Sequence, residues 1–292
     1  MAKQLLGKEV NADLNERIKE KALALKEKGI EPCLGIVRVG EREDDLSYER
    51  GATKRCETLG VAYKKYVLPA DVSEEKLIAQ IEEINADDSV HGVLLFRPLP
   101  KHLNEEKIIN VLDPAKDVDG ITDISLAGVF AGKDKGYSPC TPSAVMEILD
   151  HYEIDPAGKK CVVIGRSLVV GKPAAMMLMG KNATVTVCHT RTVDVPAEAR
   201  QADILVSSAG VLKSLTKDYV RPGQIVIDVS INWDPEKINS KGGKGGIAGD
   251  AVFDEVEPIV EAITPVPGGV CSVTTSVLIG HVVEAAERQT AK

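Results

Sequence analysis

The sequence lacks the cysteine and histidine spacing that marks a metal-binding protein. None of its six cysteines forms a CxxC pair, and its five histidines lie far from one another along the chain. Structural zinc sites are built from closely spaced ligands of these two types, so we expect no metal site. In an intracellular chain of this size, we expect most of the cysteines to be reduced and packed.

Long apolar runs and an excess of positive charge are missing as well. No run of about 18 apolar residues is present, so we expect no membrane-spanning helix. The N-terminal segment has no apolar core of the signal-peptide type, and we therefore expect a cytoplasmic protein. A net charge of -8, from 36 basic and 44 acidic residues, argues against general binding to nucleic acid or to anionic membranes.

The pattern that is present is an alternation of helix and strand signals. The 292 residues are 43% hydrophobic and 27% charged, enough for two ordinary globular domains. In the first half, an amphipathic helix over 13–29 with Asp13 as a candidate N-cap precedes a short buried strand over 33–40. A second amphipathic helix over 73–85 begins at Ser73 as its cap. Such alternation predicts an α/β fold, with a parallel or mixed sheet covered by helices.

The second half repeats this alternation after a connecting helix. Residues 138–154 follow a proline-bounded turn and predict a helix that links two domains. An amphipathic helix closes the chain. The glycine-rich segment 241–246 lacks the spacing of a phosphate-binding P-loop, so we interpret it as a flexible hairpin loop.

The segment 159–178 points to a dinucleotide. An apolar strand runs into Gly165, and Gly171 precedes a helix that begins near Pro173. Backbone N–H groups and the positive end of the helix dipole converge at such a turn, which suits a pyrophosphate. Gly165 permits the tight turn, and Gly171 permits a close backbone approach. The spacing is GxSxxxG, with Ser167 in the middle, so a tight turn without a ligand is the alternative.

The end of the next strand favours NADP over NAD. NAD enzymes usually place an acidic residue there to hold the ribose hydroxyls, whereas this chain has Thr190 and Arg191. An acidic side chain would repel a 2′-phosphate, and these two residues suit one. Arg166, in the first turn, adds a second guanidinium whose shape matches phosphate. The alternative is that all three are surface-loop residues.

Six motifs occur in the order and spacing of a single enzyme family. They are KDVDG (116–120), PCTP (139–142), GRSLVVGKP (165–173), TVCHTRT (186–192), GDAVF (249–253) and TPVPGGV (264–270). Over essentially its whole length, the chain resembles the methylenetetrahydrofolate dehydrogenase/cyclohydrolase family of the FolD type.

The resemblance implies two α/β domains with a cleft between them that binds the folate. The N-terminal catalytic domain would comprise residues 1–140 and be completed by a C-terminal helix, 271–292. Residues 141–270 would form a Rossmann-like NADP-binding domain. The family assembles as a homodimer through the NADP-binding domains, so the resemblance implies a second copy of the chain as partner.

The resemblance also implies the reaction and residues of the active site. The family oxidises 5,10-methylenetetrahydrofolate to 5,10-methenyltetrahydrofolate with NADP⁺, and then hydrolyses the product to 10-formyltetrahydrofolate. Tyr48 and Asp119 match the catalytic, substrate-binding tyrosine and the aspartate that contacts the pterin ring. Pro267, Gly268 and Gly269 match the loop beside the folate and the nicotinamide. The alternatives are core packing for Tyr48 and a structural turn for the loop.

Two positions of the family's active site carry apolar residues here. The family helix reads Tyr-x-x-x-Lys, a spacing of one helical turn that puts both side chains on one face. The fourth residue after Tyr48 is Ala52. Lys54 lies about 200° further round the helix from Ala52, so it cannot replace the amine without unwinding the helix. The family glutamine that hydrogen-bonds the lysine is Phe96 in this chain.

These replacements bear on the two reactions differently. Hydride transfer requires close positioning of folate and nicotinamide, with no obligatory protein base. Hydrolysis requires a positioned acid/base group, the role that the family's lysine matches. We therefore expect a dehydrogenase with weak or absent cyclohydrolase activity. The alternatives are a bifunctional enzyme that uses Lys54, Arg50 or Tyr48, and a non-catalytic folate or nucleotide sensor.

Overall fold

The computed structural model of the protein describes residues 1–238 and 242–290, and the chain forms two compact units. The six-strand unit comprises Met1–Ala12 and Thr141–Thr274. The three-strand unit comprises Asp13–Cys140 and Thr275–Lys292. The division falls within the first and the last long helix, so each of these helices contributes residues to both units.

Helices and strands alternate along most of the chain, as the sequence predicted. The strands are β1 (Lys3–Gln4), β2 (Cys33–Val39), β3 (Ala62–Leu68), β4 (Gly92–Leu95), β5 (Lys160–Ile164), β6 (Thr184–Cys188), β7 (Ile204–Ser207), β8 (Ile225–Asp228), β9 (Asn232–Ile238), β10 (Lys244–Ala248) and β11 (Ala262–Ile263). The α-helices are α1 (Gly7–Glu27), α2 (Glu43–Leu59), α3 (Glu74–Ala86), α4 (Glu105–Ile109), α5 (Asp123–Ala131), α6 (Cys140–His151), α7 (Gly171–Gly180), α8 (Val195–Arg200), α9 (Phe253–Val256) and α10 (Val270–Thr290).

The three-strand unit is built on a parallel sheet with the order β3-β2-β4. Every residue of the central strand β2 is buried, as expected for a short apolar run covered on both faces. The Ser73 hydroxyl accepts a hydrogen bond from the Lys76 N–H and caps α3, which confirms the predicted start of that helix. The core of this unit includes Val37, Val39, Leu77, Ile81, Ile84, Val93, Leu95 and Ile108.

The six-strand unit is a parallel sheet with the order β1-β11-β8-β7-β5-β6. Strand β5 pairs with β6 on one side and with β7 on the other, so the strand order reverses at β5. Open parallel sheets bind ligands beyond the carboxyl ends of the strands at such a reversal. The predicted dinucleotide turn follows β5 directly. The core includes Val162, Ile164, Cys188, Leu205, Val226, Val256 and Ile263.

The N-terminus differs from the sequence prediction. Strand β1 pairs in parallel with β11, with Lys3 opposite Ala262, and this pairing places Met1–Ala12 in the six-strand unit. The prediction had assigned residues 1–140 to the catalytic domain. Helix α1 begins at Gly7, so Asp13 lies inside the helix and is not its N-cap. A strand of two residues is too short to show a hydrophobic period, and only its tertiary pairing reveals it.

Strands β9 and β10 form an antiparallel hairpin, with Trp233 opposite Ile247. The segment 241–246 had been predicted as a hairpin loop. Its residues from Lys244 onward belong to β10, while Lys241 lies outside the described residues. Part of the predicted loop is therefore strand.

Helix α10 meets the length and hydropathy of a membrane span, which the sequence analysis did not expect. It is the one such helix among the described residues, with a mean hydropathy of 1.2. Of that window, 56% is buried inside the protein, which is what the core helix of a soluble protein shows. A single helix of this kind is weak support for a membrane location.

Candidate active site

Helix α2 positions the tyrosine that the sequence singled out. Its first turn carries Glu43, Asp44 and Asp45, which suits the positive end of the helix dipole. It ends at Gly60, whose φ of 70° and backbone N–H close the last turn. The buried face follows helical spacing through Asp45, Glu49, Ala52, Thr53, Cys56 and Leu59.

An ion pair fixes the orientation of this helix against the sheet. The Glu49 carboxylate, almost fully buried, contacts Arg38 Nε of β2 at 2.9 Å and Lys65 Nζ of β3 at 2.8 Å. Both cations donate to the same carboxylate, so the charge of Glu49 is compensated within the core. Tyr48 precedes Glu49 in the sequence, so the contacts of Glu49 with Arg38 and Lys65 also limit rotation of α2 about its axis at Tyr48.

Tyr48 lies in a cluster of aromatic and polar groups. Its ring meets the Phe96 ring edge-on, with centroids 5.8 Å apart. Burial, and then the negative charge of Asp119, raises the pKa of the Tyr48 hydroxyl, while a hydrogen bond with the Thr275 side chain opposes this effect. The residue keeps 37% of its surface exposed. The hydroxyl is therefore neutral at physiological pH and is able to donate a hydrogen bond to a ligand.

Ala52 lies on the buried face of α2, and Phe96 directly follows β4. Ala52 is fully buried and Phe96 is 7% exposed. Because both side chains are apolar, neither position offers a polar group. The side chains of Lys54 and Arg50 are on exposed positions of α2. Arg97, the residue after Phe96, is half-buried and lies 3.9 Å from Glu105.

Asp119 joins the Tyr48 cluster from the loop before α5. Burial and the neighbouring Asp117 raise its pKa to about 6, against the opposing effects of Arg97 and of a hydrogen bond from Cys140. Asp117 is fully buried and accepts hydrogen bonds from the backbone N–H groups of Ile121 and Thr122. The Asp119 carboxylate is thus ionised at neutral pH in a site of low polarity, where hydrogen-bond donors of a ligand interact strongly with it.

Behind Asp119 lie two residues to which the sequence analysis gave no role. The Cys140 thiol lies 3.3 Å from the Val118 carbonyl and 3.8 Å from His281 Nδ1. His281 Nδ1 lies 2.8 Å from the same carbonyl. A carbonyl only accepts, so the Nδ1–H of His281 donates to it. Cys140 and His281 are 141 positions apart, and no sequence pattern connects them.

The predicted dinucleotide turn in the six-strand unit is a tight, closely packed turn between β5 and α7. Gly165 has a φ of 119°, and a Cβ there would lie 2.5 Å from the Ser208 carbonyl oxygen. A Cβ on Gly171 would collide with the Gly165 carbonyl, so the close approach at Gly171 is to the chain's own backbone. The Ser167 hydroxyl accepts a hydrogen bond from the Val170 N–H at 3.1 Å. These contacts hold the start of α7 directly against the end of β5.

The residues predicted to hold the 2′-phosphate leave the sheet at the same edge. Ile164 and Cys188 are the paired last residues of β5 and β6. Arg166 and Thr190 each lie two residues beyond these strand ends. A turn from His189 to Thr192 is closed by the hydrogen bond from the Thr192 N–H to the His189 carbonyl. Arg166, Thr190 and Arg191 are all exposed. Their spacing and charge fit a phosphate-bearing dinucleotide.

Two buried aspartates organise the neighbouring strand ends, and the sequence analysis gave neither a role. Asp250, fully buried, accepts hydrogen bonds from the Ala209 and Val211 N–H groups and from the Ser207 and Ser230 hydroxyls. Asp228 at the end of β8 accepts from the Ala251 N–H at 2.8 Å. Burial, opposed by the Ala251 hydrogen bond, raises the pKa of Asp228 to about 6. The GDAVF motif therefore shapes the loop after β7.

The loop 267–269 follows β11 and belongs to the six-strand unit. The Val266–Pro267 peptide is cis, and Gly268 has a φ of 107°. The Gly268 carbonyl accepts a hydrogen bond from the Gly7 N–H at 2.8 Å, and the Gly269 carbonyl accepts one from the Ser272 hydroxyl at 2.8 Å. The loop is thus held by α1 and α10 within its own unit. In the described part of the chain, no group of histidine, cysteine and acidic residues could hold a metal ion.

Two family models and many relatives match this chain. The catalytic domain of tetrahydrofolate dehydrogenase/cyclohydrolase matches residues 5–119, and the NAD(P)-binding domain of the same family matches residues 139–290. The bifunctional protein FolD of Carboxydothermus hydrogenoformans is 53% identical over 98% of both chains. That of Clostridioides difficile is 48% identical over 98% of this chain and 97% of its own.

Solved structures agree in fold over the full length. The FolD methylenetetrahydrofolate dehydrogenase/cyclohydrolase of Campylobacter jejuni has a TM-score of 0.92 at 40% identity, covering 99% of both chains. The Trypanosoma brucei enzyme, solved with NADP and an inhibitor, has a TM-score of 0.92 at 30% identity, covering 100% of this chain and 99% of its own. The chain therefore belongs to the tetrahydrofolate dehydrogenase/cyclohydrolase family, with a catalytic domain and a nucleotide-binding domain.

Proposed function

We propose that this protein oxidises 5,10-methylenetetrahydrofolate to 5,10-methenyltetrahydrofolate with NADP⁺. The observation that carries the proposal is the joint presence of the Tyr48–Asp119 cluster and the Gly165 turn on a chain of this family. Bound NADP⁺ supplies the hydride acceptor. The ionised Asp119 accepts N–H hydrogen bonds from the pterin edge, and neutral Tyr48 donates to the folate, so that both orient the substrate.

The dinucleotide would be held by the residues at the carboxyl ends of β5 and β6. Gly165, Ser167 and Gly171 form the turn for the pyrophosphate. Thr190 and Arg191 receive the 2′-phosphate, with Arg166 nearby, and this charge pattern favours NADP over NAD. The loop 267–269 lies beside the nicotinamide in this proposal. The NADP-bound Trypanosoma brucei relative supports the choice of cofactor.

For the hydrolysis of methenyltetrahydrofolate, the relatives favour a bifunctional enzyme, and we propose first that this protein has both activities. The FolD proteins 45–53% identical to this chain are named bifunctional. Our expectation from the sequence was weak or absent cyclohydrolase activity, and that is retained as the second candidate. It rests on buried Ala52 and Phe96, which leave no amine or amide at the two family positions. Retention of hydrolysis would require an acid/base group other than the helix lysine.

One set of assays separates these candidates. Purified protein is supplied with methylenetetrahydrofolate and NADP⁺, and NADPH formation is followed. If no NADPH forms, the result contradicts a dehydrogenase and favours a non-catalytic sensor. Methenyltetrahydrofolate is then supplied alone, and its absorbance decay is compared with the buffer rate. Decay well above that rate supports the bifunctional enzyme, and decay at that rate supports a dehydrogenase alone.

We also propose a cytoplasmic homodimer that associates through the six-strand unit. The β9–β10 hairpin exposes Trp233 by 67% and Ile247 by 42%, and the two residues face each other across the strands. Ile231 and Ile238 nearby are exposed by 58% and 63%. Exposed apolar surface of this kind is typical of association sites.

A further inference from the structure

Charged and titratable groups from several elements of its unit lie around the carboxylate of Asp119. The titratable and charged groups facing it are Tyr48 from α2, Arg97 from the loop after β4, Asp117 from its own loop, Cys140 from α6 and, through Cys140, His281 from α10. Arg97 and Cys140 stabilise the ionised form, whereas Asp117 and burial oppose it. The state of the thiol therefore bears directly on the carboxylate.

The Cys140 thiol has two acceptors and a single hydrogen. It donates to the Val118 carbonyl oxygen at 3.3 Å, and the Asp119 carboxylate lies within hydrogen-bonding reach of it. Burial and the Asp119 charge raise the pKa of the thiol well above its ordinary value, so the hydrogen stays on sulfur. One S–H group can serve one acceptor at a time.

His281 determines whether the Val118 carbonyl depends on the hydrogen of the Cys140 thiol. Its Nδ1 lies 2.8 Å from the Val118 carbonyl oxygen, so the ring N–H gives this acceptor a hydrogen bond that does not depend on the thiol. Burial lowers the pKa of His281, so the ring is neutral and its protonated nitrogen is committed to this bond. The ring is held on its other side by Tyr137, whose ring centroid is 5.3 Å away. The thiol is then free to turn towards Asp119.

We propose that Cys140 and His281 are paired positioning residues for Asp119: His281 satisfies the Val118 carbonyl, so that the Cys140 thiol donates its hydrogen to the Asp119 carboxylate. The donated hydrogen favours the ionised form and holds the carboxylate in one orientation. In functional terms the inference rests on the proposed function, in which ionised Asp119 binds the pterin. The Asp119 pKa of about 6 is then the balance of burial and Asp117, which raise it, against Arg97 and this donor, which lower it.

The test is a titration of the Asp119 carboxyl carbon by ¹³C NMR between roughly pH 4 and pH 8, assigned with Asp119→Asn. In Cys140→Ala the midpoint rises by about half to one pH unit, because a hydrogen bond to a charged acceptor is lost. In Cys140→Ser, which retains a donor and nearly the same volume, the midpoint returns to the wild-type value or below it. The same shifts are expected in the acid limb of kcat/KM for methylenetetrahydrofolate.

His281 is tested in the same way. His281→Phe removes the Nδ1–H, leaves the carbonyl to the thiol, and raises the Asp119 midpoint, whereas His281→Asn restores a donor and the midpoint. The double variant that combines His281→Phe with Cys140→Ala shows no larger shift of the Asp119 midpoint than Cys140→Ala alone, because both residues act through one hydrogen. The matched control is Cys56→Ala, an equally buried thiol on α2, which leaves the midpoint unchanged.

Three results would overturn the inference: an unmoved midpoint in Cys140→Ala or in His281→Phe, no rescue by Cys140→Ser, or an equal shift in Cys56→Ala. The NMR readout needs no turnover. If the wild type forms no NADPH, the proposed function fails, and the titration still decides the roles of Cys140 and His281.

Discussion

The rings of Tyr48 and Phe96 meet at an angle of 90°, with their centroids 5.8 Å apart. An edge-to-face pair of this kind is worth about 0.5–1.5 kcal/mol beyond the area it buries. The contact places an apolar ring where the family has an amide, next to the tyrosine that the substrate would meet. Fully buried Ala52, one helical turn after Tyr48, completes the apolar side of the cluster. In the second candidate for the function, these two apolar positions account for weak or absent hydrolysis.

In the second candidate, a dehydrogenase with weak or absent hydrolysis, introducing the two polar groups should raise hydrolysis. In Ala52→Lys with Phe96→Gln, the decay of methenyltetrahydrofolate should accelerate by about 10²-fold or more, the usual contribution of a positioned acid/base group. The lysine enters a fully buried position, so a lower melting temperature is expected and is checked by thermal unfolding. Glu57→Ala, at an exposed position of the same helix, is the control and leaves hydrolysis unchanged. A folded double variant without faster hydrolysis would show that the lysine is not the missing group.

Arg191 should control the choice between the two dinucleotides. Arg191→Ala should raise KM for NADP⁺ by about tenfold or more and leave KM for NAD⁺ nearly unchanged, because only NADP⁺ carries the 2′-phosphate. Steady-state kinetics with both cofactors measures this. Lys181→Ala removes a cation of the same unit that pairs with Asp150 at 2.6 Å, and both KM values should stay constant. Equal increases for both cofactors would place Arg191 away from the 2′-phosphate.

Trp233 should report on association through the β9–β10 hairpin. Trp233→Glu places a charge on the exposed apolar surface and should convert the proposed homodimer to monomers, as measured by light scattering after gel filtration. Leu23→Glu, at a residue that is 60% exposed on α1, is the control and should remain dimeric. Because Trp233 is the single tryptophan of the chain, its fluorescence should also change on dilution of the wild type. A dimer that persists in Trp233→Glu would exclude the hairpin as the interface.

Asp228 should make the protein less stable as pH rises through the acid range. Its native pKa of about 6 lies above the ordinary value near 3.9, so the native state binds a proton that the unfolded state has released. The contribution of Asp228 to the free energy of unfolding therefore falls between about pH 4 and about pH 6, by roughly 3 kcal/mol. In Asp228→Asn this contribution is absent, so the stability of the wild type minus that of the variant should decrease over this range in urea titrations.

The matched control for Asp228 is Asp203→Asn. A hydrogen bond from the Lys160 N–H, with Arg221 nearby, lowers the pKa of Asp203. Its contribution to stability is therefore present above the unfolded pKa and is lost as pH falls, so the difference from wild type should increase with pH. A flat difference for Asp228→Asn would mean that its carboxylate titrates normally in the folded protein.

Much of the local architecture could be read from the residues. The buried run of β2, the Ser73 cap and the glycine turn at Gly165 each depend on a few neighbouring residues whose chemistry specifies their conformation. The placement of Ala52 and Lys54 on different sides of α2 followed from 3.6 residues per turn. Ala52 is buried and Lys54 is exposed, in agreement with this placement. The sequence by itself thus determined the α/β class, the family and the two apolar replacements.

Only the tertiary structure decided which distant residues meet. The pairing of β1 with β11 joins segments at opposite ends of the chain, and neither is long enough to show a period. The groups behind Asp119 come from α6 and α10, and the two helices lie far apart in the sequence. The burial that raises the pKa of Asp119 to about 6 is likewise a sum over these elements. Contacts of this kind depend on packing between segments far apart in the chain, which no local pattern of residues encodes.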